Sequence, residues 1–193
     1  MVELKIISGT DRKNSNALRV SSYLKKQYEK EGADVEIVDL KEFPLEAVRG
    51  GPYGEENKPV TDFVRPILKA DGLVIVTPEY NGGYPGILKM LIDYLPFPEA
   101  FEKLPICFVG ESAGAFGALR AVEQLQLVVG YRNAYLFPER VFINRVKENF
   151  DEKEGLRDDF QQQLLMDQVH NFVEYVEQLK QQGLIRARLE GGA

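Results

Sequence analysis

Residues 72–95 read GLVIVTPEYNGGYPGILKMLIDYL, and this stretch decides the fold. Its first part, residues 72–77, is an apolar run typical of a parallel strand that is buried on both faces. A turn rich in glycine and proline follows over residues 78–86. Beyond the turn, apolar residues recur at the spacing of a helix that ends before Pro96: Ile87, Leu88, Leu91, Ile92 and Leu95. The stretch therefore predicts a strand, a turn and a helix, the unit from which parallel sheets are built.

The same alternation of strand and helix continues along the whole chain. Strands are predicted near residues 4–8, 35–40, 72–77, 105–110 and 134–137. Residues 41–59, with their prolines and paired glycines, are predicted to form a long surface loop. The last helix is predicted over about residues 155–182, with an inner side made by Phe160, Leu164, Val169, Phe172, Val176 and Leu179. Alternating elements of this kind predict an α/β protein with three layers and a five-stranded parallel sheet in the flavodoxin-like order 2-1-3-4-5.

Length and composition restrict the class of protein. The 193 residues, of which 44% are hydrophobic and 28% charged, suit one domain over residues 1–193. A net charge of −6 disfavours nucleic acid and acidic membrane surfaces as partners. We see no signal-peptide pattern and no apolar run near the roughly 20 residues that span a bilayer. A single cysteine allows no internal disulfide, so we expect a cytoplasmic protein.

Three loops that follow strands carry the residues of chemical interest. In a sheet of this order, ligands bind beyond the carboxyl ends of the strands, where the strand order reverses. The loops after the first, third and fourth strands should meet there. The first loop offers hydroxyls, an amide and a guanidinium beside a helix N-terminus, a combination suited to phosphate: Thr10, Ser15, Asn16 and Arg12. The alternative is that Ser15 or Asn14 merely caps the helix and Arg12 is a solvated charge.

The second and third loops suit a flat ligand. In the second loop, Tyr80 can cover one ring face and Asn81 can both donate and accept hydrogen bonds. The third loop, residues 110–117, presents small residues with free N–H groups at a helix start. Taken singly, each loop is also explained as a glycine-rich connection between a strand and a helix. Together, the three loops predict a mononucleotide site.

The motifs in these loops resemble those of the NADPH-dependent FMN reductase family, which includes quinone, azo-dye and chromate reductases. Residues 9–15, GTDRKNS, are similar to the phosphate loop G-S-x-R-x-x-S of that family. Residues 78–89, PEYNGGYPGILK, resemble P-E-Y-N-G-S-x-P-G-x-L-K, and residues 112–121, SAGAFGALRA, resemble S-x-G-x-x-G-G-x-R-A. The resemblance extends from about residue 3 to residue 143. Gly83 and Ala118 stand where the family commonly has serine and glycine.

The resemblance implies a set of cofactor contacts. Three groups of residues would hold FMN: Thr10, Arg12, Ser15 and Asn16 at the phosphate, Pro78, Glu79, Tyr80 and Asn81 along the ring system, and Ser112, Ala113, Gly114 and Gly117 at its far edge. NADPH or NADH would donate electrons, and a quinone, free flavin, azo dye or metal oxyanion would accept them by ping-pong hydride transfer. The resemblance also implies a homodimer or homotetramer. The alternative from another class is a non-enzymatic FMN electron carrier of the flavodoxin type.

The sequence assigns no side chain a catalytic role. The only histidine, His170, is predicted on the last helix, where a surface or packing role is expected. The only cysteine, Cys107, falls within a buried strand and is expected to pack as a small hydrophobic residue. With one residue of each type, we expect no transition-metal site.

Overall fold

The computed structural model describes residues 1–189 as strands and helices that alternate along the chain. The strands are β1 (Glu3–Ser8), β2 (Asp34–Asp39), β3 (Gly72–Pro78), β4 (Pro105–Glu111), β5 (Tyr135–Ile143), β6 (Phe150–Asp151) and β7 (Gly155–Leu156). The helices are α1 (Asn16–Lys30), α2 (Lys58–Lys69), α3 (Gly86–Tyr94), α4 (Leu119–Tyr131), α5 (Val146–Asn149) and α6 (Asp159–Gln181). Across residues 1–189, no helix combines the length and the apolar character that crossing a bilayer requires.

The five long strands form one parallel sheet in the order β2-β1-β3-β4-β5, which confirms the predicted topology. Every residue of β3 and β4 is buried, as expected for central strands covered on both faces. One face of the sheet packs against α1 and α6, with Leu24 and Phe172 in that core, and the other packs against α2, α3 and α4. The predicted three layers are therefore present.

Two sequence predictions need correction. Residues 41–59 are not simply a surface loop: two short 3₁₀ turns lie at Leu40–Glu42 and Leu45–Val48, and Phe43 and Val48 are buried in the core.

The last helix begins at Asp159, and its first turn faces solvent. Phe160 and Leu164, predicted on the inner side, are 71% and 45% exposed. At 3.6 residues per turn, Phe160 lies about a third of a turn away from the buried Phe172, and together with Leu164 it borders the edge strand β5 at the surface.

The segment after α6 is fastened to the amino-terminal end of the sheet. The buried carboxylate of Asp71 accepts hydrogen bonds from Lys180 Nζ at 2.6 Å, from the Glu3 N–H at 2.8 Å and from Arg188 Nη2 at 3.0 Å. Arg186 donates to the carbonyls of Ile67 and Leu68 at the end of α2. These contacts lie at the edge of the sheet opposite to the carboxyl ends of its strands. We call the group of Glu3, Asp71, Lys180 and Arg188 the Asp71 clamp.

Candidate active site

A cleft of about 370 Å³ lies at the carboxyl ends of β1, β3 and β4, where the sequence placed the site. It is bounded by the loops that follow these strands and by α5. Eight of the predicted residues line it: Arg12, Ser15, Asn16, Pro78, Glu79, Tyr80, Ser112 and Ala113. Four others do not line it. Thr10 is buried behind the wall, Asn81 is exposed on a turn, Gly114 is exposed, and Gly117 is buried.

The first loop brings the N-terminus of α1 into the cleft. Gly9 passes so close to β3 that an added Cβ would lie 2.8 Å from the Val76 carbonyl oxygen. Ser15 is the N-cap of α1, and its hydroxyl oxygen accepts a hydrogen bond from the Leu18 N–H at 3.1 Å. Ser15 therefore caps the helix, as the alternative interpretation of this loop proposed. The same hydroxyl keeps a hydrogen that it can donate toward the cleft. With no acidic residue in its first turn, α1 presents a positive helix end to a ligand.

Thr10 joins the first loop to the second. Its side chain is fully buried, and its hydroxyl lies 2.8 Å from the Tyr80 hydroxyl. The Arg12 N–H donates to the same Thr10 oxygen at 3.4 Å. The guanidinium of Arg12 lies over the Tyr80 ring, with its carbon 4.8 Å from the ring centroid, a distance at which cations attract aromatic faces. Thr10 therefore positions two residues of the cleft wall.

The second loop is a tight turn that holds Tyr80 in place. The backbones of Tyr80 and Gly83 exchange hydrogen bonds of 2.8 and 3.1 Å across it. The two residues between them have positive φ, 53° at Asn81 and 78° at Gly82, as the short turns of hairpins require. Gln124 closes the turn from α4 by donating to the Gly82 carbonyl, and its Oε1 would lie 2.9 Å from a Cβ at position 83. The glycine at this position makes room for that glutamine.

The third loop is tied to the segment that follows β5. A Cβ at Gly110 would collide with the Gly117 carbonyl oxygen, so the loop folds directly over the end of β4. The Ser112 N–H donates to the Ile143 carbonyl at 3.0 Å, and the Arg145 N–H donates to the Gly114 carbonyl at 2.9 Å. These bonds bring the start of α5 to the cleft.

Four residues of the cleft were not predicted: Lys13, Asn14, Glu111 and Lys147. Glu111 is the last residue of β4 and is only 4% exposed. Burial raises the pKa of its carboxyl to about 7, although a hydrogen bond from the Ala17 backbone and the charge of Arg19 oppose that rise. Glu111 lies opposite Pro78 in the register of β3 and β4, and Pro78 was a predicted site residue. This pairing could have identified Glu111. Lys147 could not be identified in this way, because it reaches the cleft only through the backbone hydrogen bonds between the third loop and the segment after β5.

The donors present fit a phosphorylated ligand with a flat ring. Three cationic side chains, Arg12, Lys13 and Lys147, line the cleft near the positive end of α1. Tyr80 and the glycine-rich loops supply a ring face and close backbone approach. Within residues 1–189, no three His, Cys, Asp or Glu side chains are grouped so that they could hold a metal ion. Cys107 is buried in β4, and His170 lies exposed on α6, 2.9 Å from Glu31.

Comparison with known proteins gives a consistent assignment. Residues 2–148 match the family model described as NADPH-dependent FMN reductase. The chain is 30% identical over 153 residues to a NAD(P)H-dependent FMN reductase of Pseudomonas aeruginosa, covering 77% of this chain and 82% of that relative. It is 28% identical over 144 residues to an NADPH azoreductase of a Bacillus strain, covering 74% and 77% of the two chains.

The fold has a close match among solved structures. The flavoenzyme NAD(P)H:acceptor oxidoreductase of Paracoccus denitrificans superposes with a TM-score of 0.75 at 22% identity, covering 92% of this chain and 98% of that one. At this identity the likeness concerns the fold alone. The family match, however, covers most of the chain, including all three loops of the cleft. The chain therefore belongs to the NADPH-dependent FMN reductase family.

Proposed function

We propose that this protein is an NAD(P)H-dependent oxidoreductase that holds FMN in the cleft and passes electrons to a small acceptor. The observation that carries the proposal is the convergence of three loops, three cationic side chains and the N-terminus of α1 on one cleft. When bound, FMN supplies a ring that accepts hydride from NADH or NADPH and returns electrons to an acceptor. The acceptor class comprises quinones, free flavins, azo dyes and metal oxyanions, in keeping with relatives named as flavin reductases and azoreductases.

The residues divide the cleft into a phosphate end and a ring end. At the phosphate end, Arg12, Ser15 and Asn16 would donate to the phosphate together with the first N–H groups of α1. At the ring end, Pro78, Glu79 and Tyr80 would contact the ring, with Ser112 and Ala113 at its far edge. Asn81, Gly114 and Gly117, which the resemblance also implied, lie outside the lining of the cleft. Thr10 is a positioning residue in this scheme, because its buried hydroxyl bonds to Tyr80 rather than facing the cleft.

The residues of the cleft orient the reactants. No side chain acts as an acid or base in the transfer. Donor and acceptor would use the same exposed space in turn, which is ping-pong kinetics. Glu79 has a role in shaping the wall: its N–H donates to the Glu111 carbonyl at 3.3 Å, and it is half-buried.

An absorption spectrum of the purified protein with and without added FMN tests the proposal. We expect flavin absorption bands that bleach when NADPH or NADH is added in the absence of oxygen. When the donor and quinone concentrations are varied, double-reciprocal plots of the steady-state rate should give parallel lines. Bound flavin that neither nucleotide bleaches in a stopped-flow experiment would overturn the enzymatic proposal in favour of an electron carrier. Absence of FMN binding would overturn the assignment of the cleft.

We also propose that the protein works in the cytoplasm. We further propose that two or four copies of the chain assemble. Large apolar side chains lie exposed between α3 and α4, with Phe97 60%, Leu127 77% and Tyr131 77% exposed. A second copy related by a two-fold axis would cover the same patch on both chains. Light scattering should give a mass of two or four chains, and Leu127→Glu should lower it. A monomer at all concentrations would contradict the assembly.

A further inference from the structure

Glu111 places a buried carboxyl group in the wall of a cleft that three cationic side chains also line. It lines the cleft with Arg12, Ser15 and Asn16, and it is 4% exposed. The Ala17 backbone, in the first turn of α1, is close enough to its carboxyl group to act against the rise of its pKa. A phosphate bound at the N-terminus of α1 would therefore lie in the same cleft as this carboxyl group, which is shielded from solvent.

The charged groups around Glu111 come from four elements. The charge of Arg19 on α1 acts to lower the pKa of Glu111, but Arg19 is already bonded to Asn16 at 3.0 Å and to Glu152. The remaining charged side chains that line the cleft are Arg12 and Lys13 from the first loop, Glu79 from the second and Lys147 from α5. Glu111 itself has no cation among its side-chain hydrogen-bond or salt-bridge partners in residues 1–189. Its charge is thus only partly balanced.

We propose that Glu111 takes up one proton when the phosphate of FMN binds, so that FMN affinity falls as the pH rises above neutrality. The proton comes from solvent and forms an O–H bond on the Glu111 carboxylate, and no other bond changes. The neutral carboxyl group can then donate to a phosphate oxygen, whereas the carboxylate would repel it. This inference rests on the proposed binding of FMN phosphate in the cleft.

The direction of the pH effect follows from linkage. Burial holds the pKa of Glu111 near 7 before a ligand binds, and a phosphate dianion beside it raises that pKa further. Binding then takes up a proton wherever the free protein is ionised and the complex is not. Affinity must fall with pH across that interval, by at most tenfold per pH unit for one proton. The phosphate itself loses its second proton near pH 6, so between pH 7 and 9 it contributes little.

Flavin fluorescence titrations between pH 7 and 9 test the inference. The ligands are FMN and riboflavin, which carries the same ring without the phosphate. We expect the wild-type affinity for FMN to fall between three- and tenfold per pH unit. Glu111→Gln should bind FMN more tightly than wild type at pH 8.5, and its affinity should change less than twofold over the range. Riboflavin affinity should stay flat for both proteins.

The control is Glu99→Gln, which removes one exposed carboxylate from the opposite end of β4 and should behave as wild type. Calorimetry of the wild type in two buffers of different ionisation heat gives an independent reading, with about one proton taken up per FMN at pH 8. This measurement uses the wild-type protein and so does not depend on the folding of a variant. Equal slopes for Glu111→Gln and wild type, or no proton uptake, would overturn the inference alone. A wild type that binds no FMN would overturn the proposed function with it.

Discussion

The hydroxyl groups of Thr10 and Tyr80 lie 2.8 Å apart, although 70 positions separate the two residues in the chain. The bond links the loop after β1 to the loop after β3 on the inner side of the cleft wall. Thr10 is fully buried, so its hydroxyl has no water to replace Tyr80. The pair fixes the orientation of the Tyr80 ring, on whose face Arg12 lies.

Removing this bond should weaken cofactor binding. Tyr80→Phe keeps the ring and leaves the buried Thr10 hydroxyl with only the long contact of 3.4 Å to the Arg12 N–H, which costs about 1 kcal/mol. We expect the dissociation constant of FMN, measured by quenching of its fluorescence, to rise by roughly fivefold. Thr10→Ser keeps the hydroxyl and serves as the control, with an affinity near that of wild type. An unchanged affinity in Tyr80→Phe would show that the bond does not position the ring.

Arg12 should not be replaceable by lysine. Its planar guanidinium lies 4.8 Å from the Tyr80 ring centroid and can donate to two phosphate oxygens at once. Arg12→Lys keeps the charge but loses the fork and the planar stacking. We expect FMN affinity to fall by about tenfold, which corresponds to about 1.4 kcal/mol. Riboflavin affinity, measured in the same titration, should fall much less, and an equal loss for both ligands would place Arg12 at the ring rather than at the phosphate.

Gly110 should tolerate no side chain. A Cβ there would collide with the Gly117 carbonyl and would lie 3.1 Å from the Ala118 side chain, both in the loop that crosses the end of β4. Gly110→Ala should therefore lower the free energy of unfolding by about 1–3 kcal/mol, measured in urea. Gly86→Ala is the matched control, because a Cβ at that position has nothing within 4 Å. Equal stability of the two variants would show that the loop moves aside freely.

The Asp71 clamp should make unfolding sensitive to acid. Burial raises the pKa of Asp71, but hydrogen bonds from Lys180, the Glu3 backbone and Arg188 outweigh it, and the net shift is downward from 3.8. A lowered folded-state pKa gives stability that is present above pH 3.8 and is lost as the pH falls through the folded value. Asp71→Asn should be less stable than wild type at pH 7, and the difference should shrink below pH 4.

Urea unfolding between pH 3 and pH 7 measures this effect. The exposed Asp34, which starts β2, provides the control Asp34→Asn, whose stability should follow the wild-type curve. A constant difference between Asp71→Asn and wild type across this range would show that the charge of Asp71 plays no part in the clamp.

The sheet was predictable because its signals are local. The central strands β3 and β4 are apolar runs, β2 alternates between buried and exposed residues, and the register of β1 and β3 brings the first two loops together once the strand order is known. The chemistry of the site was only partly predictable. Thr10 was expected to face the ligand, but its burial depends on Tyr80, which is distant in the chain. Lys147 reaches the cleft through backbone bonds between the third loop and residues 143–146, and no motif encodes them.

The errors at the end of the chain have a physical cause as well. Phe160 lies twelve positions before Phe172, and at 3.6 residues per turn this spacing puts the two side chains about a third of a turn apart on the helix. Only Phe172 is buried in the core, whereas Phe160 is 71% exposed. The prediction placed the large apolar residues of the helix on one side, although helical spacing separates Phe160 from the buried ones.

The Asp71 clamp has a consequence for the nascent chain. Asp71 leaves the ribosome 109 residues before Lys180 and 117 residues before Arg188. At about 5–20 residues per second, translation needs roughly 5 to 20 s to deliver these partners. A carboxylate that is buried without its cations is strongly disfavoured, so during that interval water must keep access to the amino-terminal end of β3. The Asp71 clamp therefore cannot close until Lys180 and Arg188 have been synthesised.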